Sequence, residues 1–377
     1  MKHYVIAAGG TGGHMVPAHV LAAELTRRGH RVTLMTDARG LRFPGLFDGV
    51  ASRIVESAVI GGSPFGWPHT LLKVWRGRAA AKTFLIAERV AAVVGFGGYP
   101  SLPPLLAAVA LNRPAVLHEQ NAVLGRVNRL LAGSATRIAT SFMPTLRLPR
   151  AYGAKTVFTG LPVRPEIAAI GAAPFPPADG LIEVFVTGGS QGASILSRVV
   201  PAAIGHLDAD LRARLRVTQQ CRPEDIAAVR AAYAAQETAA VLETYFADFA
   251  ARLAASHLVI TRSGASTMAE LTAAGRPAIL VPFAAATNDH QAANAAAFVA
   301  AGAGPLLREA AFTPEAVAAA IISLLNSATA LAKAAQAARS IGHPDAGARL
   351  ADLVTSLGTS PLGTSTSSGT PMTTATP

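Results

Sequence analysis

The chain is short of cysteine, of charge and of aromatic side chains, and each shortage narrows what it can be. Cys221 is the one cysteine in 377 residues, which excludes an intrachain disulfide framework and fits a reducing compartment. Charged residues make up 15% and hydrophobic ones 51%, so the chain has apolar material for more than one core. Long apolar runs are scarce. Ala91 to Leu111 is 21 residues without a charge, the length of a membrane span. Its middle, Gly95-Phe96-Gly97-Gly98-Tyr99-Pro100-Ser101-Leu102-Pro103-Pro104, would break a lipid-exposed helix. A strand, a glycine loop and a buried helix are expected there. The opening residues form too short an apolar stretch for a secretory signal, and no small-residue cleavage site follows.

Acid is short in one half only. Residues 1–165 hold 20 Lys/Arg against 6 Asp/Glu, whereas 166–377 hold 13 against 16. So basic a half fits an anionic membrane surface or a phosphorylated ligand. Nucleic acid is not expected, because that half has few aromatics and no recognisable nucleic-acid module. Both tryptophans, Trp67 and Trp75, fall in the stretch Phe65 to Arg78 beside Lys73, Arg76 and Arg78, and Lys82 and Phe84 extend it. The stretch is either a surface that docks on lipid headgroups or a core segment in which Leu71, Leu72 and Trp75 are packed.

What is present is a strand–helix alternation that runs twice. Strands are expected at His3–Ala8, Arg31–Thr36, Val90–Gly95, Ala115–His118, Arg137–Thr140 and Thr156–Phe158, with helical patterns at Pro17–Arg28 and Ala122–Ala132. Gly160 to Gly180 holds five prolines and reads as a linker. The pattern restarts with strands at Ile182–Thr187, Arg214–Thr218, Ala240–Thr244, Leu258–Thr261 and Ala278–Pro282. The expected fold is α/β, two Rossmann-like domains facing across a cleft. The expected boundaries are a first domain over 1–163, a linker over 164–180 and a second domain over 181–340. A helix over 341–357 should pack back toward the first domain, and 358–377 should be a disordered Ser/Thr/Pro/Gly tail.

Each half opens with strand, glycine loop and helix. Gly9-Gly10-Thr11-Gly12-Gly13-His14 allows close backbone approach to an anion at a helix start near Pro17. It is not a dinucleotide fingerprint, because the third glycine position falls on Met15; Asp37, near the end of the second strand, keeps a nicotinamide reading open. Gly97-Gly98-Tyr99-Pro100-Ser101 and His118-Glu119-Gln120-Asn121 each follow a strand, where ligands bind in such sheets, although Asn121 also suits a turn. In the second half, Gly188–Ala193 can take a diphosphate on its amides and on Ser190. The run Arg262 to Glu270 suits phosphate at a helix N-terminus, with Glu270 placed either to accept two ribose hydroxyls or to complement the helix dipole. Asn288 to Asn294 carries amides able to read sugar hydroxyls. Asp208-Ala209-Asp210 matches a metal-binding D-x-D pattern but is read as a helix cap.

Taken in order, Gly9–His14 with Pro17-Ala18, Gly97–Ser101, His118–Asn121, Pro162-Val163-Arg164, Gly188–Ala193, Arg262–Ala265 with Glu270, and His290-Gln291 with Asn294-Ala295 resemble the UDP-N-acetylglucosamine:lipid I N-acetylglucosaminyltransferase family over residues 3–357. The resemblance implies the two-domain GT-B fold, an inverting transfer in peptidoglycan synthesis, and no metal or cofactor. It implies that Ser190 and Arg164 meet the diphosphate, Phe246 the uracil, Ala265, Ser266 and Thr267 the phosphates, Glu270 the ribose and Gln291 the sugar hydroxyls. Thr11, Gly12, Gly13 and Asn121 would close on the donor, and Gly97, Gly98, Tyr99 and Ser101 would face the acceptor. The base is His14 or Glu119. Implied partners are UDP-N-acetylglucosamine, undecaprenyl-linked lipid I and an anionic membrane surface, at the cytoplasmic face of the bacterial inner membrane. Another lipid-directed UDP-sugar transferase, a UDP-sugar epimerase of the same fold, and a non-catalytic UDP-sugar-binding protein are the competing readings.

Overall fold

The computed structural model describes residues 1–40, 45–57, 67–189 and 192–358, with only the backbone of Trp67. Two parallel sheets form, their central strands short runs rich in Val, Ile, Leu and Ala that are buried on both faces, as parallel strands covered by helices require. The first sheet comprises β1 (His3–Ala7), β2 (Arg31–Thr36), β3 (Ala51–Ile54), β4 (Ala92–Gly95), β5 (Ala115–Glu119), β6 (Arg137–Thr140) and β7 (Thr156–Phe158), in the order β3-β2-β1-β4-β5-β6-β7. The second comprises β8 (Ile182–Thr187), β9 (Leu215–Gln220), β10 (Ala239–Glu243), β11 (Leu258–Thr261) and β12 (Ala278–Leu280), in the order β10-β9-β8-β11-β12. The sequence reading lacked β3. All four of its residues are exposed at the sheet edge, so it carries no apolar signal.

Strand order locates the site. In the first sheet the chain runs outward through β1, β2 and β3, then returns to lay β4 on the other side of β1. In the second, β8 plays the part of β1 and β11 that of β4. Each reversal opens a crevice at the carboxyl ends of the two central strands. The glycine loops that follow β1, β4, β8 and β11 therefore sit at the two switch points.

The chain crosses between domains twice. The first crossing is not bare linker, because Pro165–Ile170 within it is a helix whose Ile167 and Ile170 enter the second domain's core. After the second crossing, the helix Ala346–Leu357 lies on the helix Gly12–Arg27 of the first domain. Leu350, Ala351 and Val354 share a core cluster with Leu21 and Leu25, and Arg28 Nη1 donates to Asp352 Oδ1 at 2.6 Å. The crossings touch at Gly160, where a Cβ would lie 2.9 Å from that of His343 at a φ of +77°. Only glycine suits that position. Between them is an apolar cavity of about 330 Å³, lined among others by Phe142, Phe158, Leu161, Met268, Phe298 and Ile341.

Ala91 to Leu111 forms β4, a glycine loop and the nine-residue helix Leu102–Ala110. Among the described residues no single helix is long and apolar enough to cross a membrane. The pair Pro314–Leu325 and Ala328–Ser340 has the length and composition jointly but is bent by 96°, and its Val317, Ile321, Leu325 and Leu331 belong to the second core. Of the expected tail over 358–377, all but Gly358 lies outside the described residues.

Arg276 anchors the second domain without a carboxylate. Its guanidinium is 1% exposed. Nε donates to Leu253 O at 2.9 Å, Nη2 to Ala254 O at 2.7 Å and Nη1 to Ala274 O at 3.2 Å. These carbonyls end the helices Phe249–Ala255 and Ala265–Ala274, so one cation satisfies acceptors that helix termini leave open and sits at the favourable end of both dipoles. Burial lowers its pKa to about 10, and it stays charged at neutral pH. Arg276→Met should strand those carbonyls and lower stability by roughly 2–4 kcal/mol, read as a lower midpoint in thermal or urea unfolding. An unchanged midpoint would mean that water reaches the carbonyls.

Candidate active site

The first wall is built on β1 and β4. The helix after β1 begins at Gly12, earlier than the start near Pro17 that the sequence indicated, and Pro17 lies inside it. Gly12, Gly13 and His14 thus occupy its first turn, with Thr11 as N-cap. The Thr11 hydroxyl makes no capping bond, and no acid lies in that turn, so the first amides and the positive end of the dipole suit an anion. The His14 ring lies over Gly97 and Gly98, whose φ values are +76° and +71°. A Cβ at Gly97 would be 3.5 Å from His14 Cε1 and 3.6 Å from Gln120 Oε1. His14 Nδ1 is 3.1 Å from Gln120 Oε1. Burial lowers the His14 pKa below its ordinary 6.5, opposed by hydrogen bonding with Gln120 and the Phe96 carbonyl, so the ring is neutral at pH 7 with one nitrogen lone pair.

Glu119, the other base candidate, is placed differently. Its Oε1 accepts from Asn121 N at 3.0 Å, and its Oε2 accepts from Gly125 N at 2.8 Å and Asn128 Nδ2 at 2.9 Å. Only 2% of it is exposed. Burial raises its pKa while these donors oppose the rise. With both oxygens accepting hydrogen bonds, Glu119 anchors the loop over 121–125. Ser101 is likewise buried, its hydroxyl donating to Gly98 O at 2.8 Å, so it shapes the glycine loop and is not open to an acceptor. Tyr99 is half-buried against the first core.

The second wall is built on β11. The helix Ala265–Ala274 has Gly264 as N-cap, no side-chain cap and no acid in its first turn. The hydroxyls of Thr261, Ser263 and Ser266 are buried without a hydrogen-bond partner among the described residues. Ala265, Ser266 and Thr267 thus bring free amides beside orphaned hydroxyls, a combination suited to phosphate oxygens. Arg164 Nη2 donates to Glu270 Oε1 at 3.0 Å. Burial raises the Glu270 pKa and Arg164 opposes the rise. Gln291 Oε1 accepts from Phe283 N at 2.9 Å, which leaves its NH₂ group as the donating end. Phe246, which the resemblance places at the uracil, is 6% exposed and packs edge-on to Phe185 in the core. The side chain is therefore not free to stack on a base, and any contact there falls to backbone groups. Ser190 lies outside the described residues; Gly189 and Gly192 flank it with φ values of +77° and +67°.

One buried side chain joins the walls, beside an exposed bond from Arg147 Nη1 to Asn288 Oδ1 at 2.6 Å. Asn294, 1% exposed on the helix His290–Ala300, accepts from Ala122 N at 2.8 Å through Oδ1. Its Nδ2 donates to Asn121 Oδ1 at 3.2 Å and Ser263 O at 3.3 Å. The β5 loop of one domain is thereby held against the phosphate-ready loop of the other. Gln120, Ser263 and Asn294 were quoted within sequence motifs without individual roles, because a buried amide or hydroxyl looks the same in sequence as a capping one. Two competing features resolve into local structure. Asp37 accepts from Gly40 N at 3.0 Å and Arg39 Nε at 2.8 Å in a turn, and Asp208 caps the helix Ala209–Ala213 by accepting from Leu211 N at 2.7 Å.

Two parallel-sheet domains, paired at their switch points with an anion-ready helix on one side and a neutral histidine on the other, have the architecture of the two-domain GT-B glycosyltransferases. The glycosyltransferase family 28 N-terminal and C-terminal domain models match residues 4–140 and 183–350. A UDP-N-acetylglucosamine–N-acetylmuramyl-(pentapeptide) pyrophosphoryl-undecaprenol N-acetylglucosamine transferase of Novosphingobium aromaticivorans is 53% identical, covering 96% of this chain and 94% of its own length. A protein of the same name from Erythrobacter litoralis is 51% identical over 95% of this chain and 90% of its own length. The crystal structure of Acinetobacter baumannii MurG superposes with a TM-score of 0.77 at 28% identity, covering 94% of this chain and 100% of that one. The chain belongs to the family of these N-acetylglucosamine transferases, within glycosyltransferase family 28.

Proposed function

We propose that this protein transfers N-acetylglucosamine from UDP-N-acetylglucosamine to the 4-hydroxyl of the muramyl sugar of undecaprenyl-pyrophosphoryl-MurNAc-pentapeptide (lipid I), giving lipid II with inversion at the anomeric carbon. The observation that carries this reading is the Asn294 bridge, which sets the His14 wall against the phosphate-ready wall of the second domain. Holding donor and acceptor there makes the displacement effectively intramolecular. The acceptor oxygen bonds to C1 as the bond from C1 to the diphosphate oxygen breaks. His14 takes the hydroxyl proton, and the electron pair leaves on UDP. The amides of Ala265–Thr267, the Ser263 and Ser266 hydroxyls and Arg164 stabilise that charge. Incubating the protein with UDP-N-acetylglucosamine and a lipid I analogue should release UDP only when both are present; release from the donor alone, or conversion of the donor without the acceptor, would overturn the reading. His14→Ala should lower turnover by roughly 10²–10⁴-fold with donor affinity kept. Because burial lowers the His14 pKa, wild-type kcat/KM should stay level through neutral pH and fall only on the acid side of 6.5.

Glu270 is assigned to the ribose. Half-buried beside Arg164, its carboxylate suits a vicinal diol, and the neighbouring guanidinium suits the diphosphate. Glu270→Ala should weaken UDP binding by about 1.5–3 kcal/mol and abolish the preference for UDP over 2′-deoxy-UDP in calorimetric titration. An equal preference in both proteins would assign the ribose elsewhere.

The lipid acceptor requires the protein to dock peripherally, at the cytoplasmic face of the inner membrane. On the helix Trp67–Ala87, Leu71 and Trp75 are each 62% exposed and Leu72 is 43% exposed, so these side chains do not pack a core. Arg76 and Lys82 are exposed beside them, with Lys73 and Arg78 half-buried. Phe65 and Gly66 lie outside the described residues. An apolar ridge among cations suits headgroups of an anionic bilayer, with about 1 kcal/mol gained per nearby cation and screening beyond about 10 Å at 0.1 M salt. Changing Lys73, Arg76 and Arg78 together to Ser should cut sedimentation with anionic vesicles at low salt while sparing UDP affinity. Wild-type sedimentation by the triple variant would move the docking face, with Arg126, Arg129 and Arg137 the next candidates.

A further inference from the structure

His14 is tied into the first domain by a chain of hydrogen bonds whose direction can be deduced from its far end. The Gly160 carbonyl can only accept, so His118 Nε2, 3.3 Å away, carries a proton. Burial lowers the His118 pKa to about 4, so the ring is neutral at pH 7 and its lone pair lies on Nδ1. Gln120 Nε2 is 3.1 Å from that Nδ1 and 3.1 Å from the His118 carbonyl oxygen. Both are acceptors, which fixes the amide with its NH₂ group toward His118. Its Oε1 then faces His14 Nδ1 at 3.1 Å, and an amide oxygen can only accept. His14 must hold its proton on Nδ1, leaving the lone pair on Nε2. The relay cannot turn easily: His118 and Gln120 are buried, and the Phe96 ring packs on His118 at 4.9 Å.

We infer that Gln120, backed by His118, is a positioning residue that locks His14 in the Nδ1–H tautomer and so makes Nε2 its basic atom. The inference deepens the proposed reaction and rests on His14 being the base. Around His14, a hydrogen bond with the Phe96 carbonyl favours the protonated ring against the larger effect of burial, and His118 is the adjacent titratable group. The Glu119 carboxylate is turned into the 121–125 loop. Tautomer control of this kind matters because an imidazole oriented with its proton on the wrong nitrogen loses general-base function even when its position is kept.

The test uses the full chain labelled with ¹⁵N-histidine, with long-range ¹H–¹⁵N spectra assigned by the signals lost in His14→Ala. His14 should show a protonated Nδ1 and a bare Nε2, and His118 the reverse. Gln120→Leu should give His14 mixed tautomers and lower kcat about 10–10²-fold, less than loss of the base outright, with KM for UDP-N-acetylglucosamine unchanged. Gln120→Glu keeps an acceptor for Nδ1–H. Its carboxylate also stabilises the imidazolium, so the His14 pKa rises and the acid limb of kcat/KM should move to higher pH, a shift that a purely structural role would not produce. A wild-type His14 protonated on Nε2 overturns the inference, as does a folded Gln120→Leu protein with wild-type kcat. Should the Leu variant melt early, the wild-type spectrum and the Gln120→Glu profile still decide. Full turnover by His14→Ala would instead remove the base assignment itself, whereas loss in His14→Ala without loss in Gln120→Leu would leave the base and remove the relay.

Discussion

The side-chain amide of Asn294 is the point at which two separately folded sheets become one site. Each domain has its own core, and each switch point would exist without the other. What a transfer reaction needs is a fixed relation between them, and Asn294 supplies it by meeting Ala122 and Asn121 of the first domain and Ser263 of the second. A buried amide left without these partners would carry a desolvation cost in either domain. The same cost that makes Asn294 a poor core residue therefore makes it a specific interdomain contact. Around it the domains are not packed solid: the apolar cavity of about 330 Å³ lies beside it, between the two crossings. A few polar contacts set the closed geometry next to a space that leaves room for adjustment.

The electrostatics follow from the topology. Parallel strands aim every following loop, and the N-terminus of every following helix, at the same edge. Pairing two such sheets at their carboxyl ends collects several positive dipole ends around one cleft. The helices Gly12–Arg27 and Ala265–Ala274 both start there without an acid in the first turn, so their amides remain open to ligand oxygens. Within the second helix Glu270 sits one turn further in and is held by Arg164, clear of the open amides of its first turn.

Much of this was legible in the sequence, for definable reasons. Central strands buried on both faces announce themselves as apolar runs, and the loops after them as glycine clusters. That gave the two-domain reading and the glycine loops at the strand ends. The exposed edge strand Ala51–Ile54 did not show, because Ala-Ser-Arg-Ile is stabilised by backbone pairing to β2 and not by burial. The helix start at Gly12 was hidden because glycine and an interior proline both argue against helix, while tertiary packing of Met15, Ala18 and Leu21 overrides them. Side-chain roles were less legible than positions. His118-Glu119-Gln120-Asn121 reads as four equivalent polar residues, yet alternation along the strand and into its loop sends them to different tasks. His118 and Gln120 turn toward His14, Glu119 turns to the 121–125 loop, and Asn121 meets the other domain. Phe246 shows the converse, a residue placed by resemblance in a binding role whose ring belongs to the core.

The division of labour between Glu119 and His14 has a physical basis. A carboxylate buried at this strand end must be matched by donors, and Asn121 N, Gly125 N and Asn128 Nδ2 match it here by engaging both its oxygens. Left unmatched it would be driven toward protonation by the same burial and would be no base. A neutral imidazole escapes this dilemma, because it can satisfy one neighbour with an N–H and still keep a lone pair on the opposite side of the ring. Burial that handicaps a carboxylate favours the neutral form of histidine, which is the basic form. The first wall of the cleft is therefore built so that its acid supports the loop and its histidine keeps a lone pair.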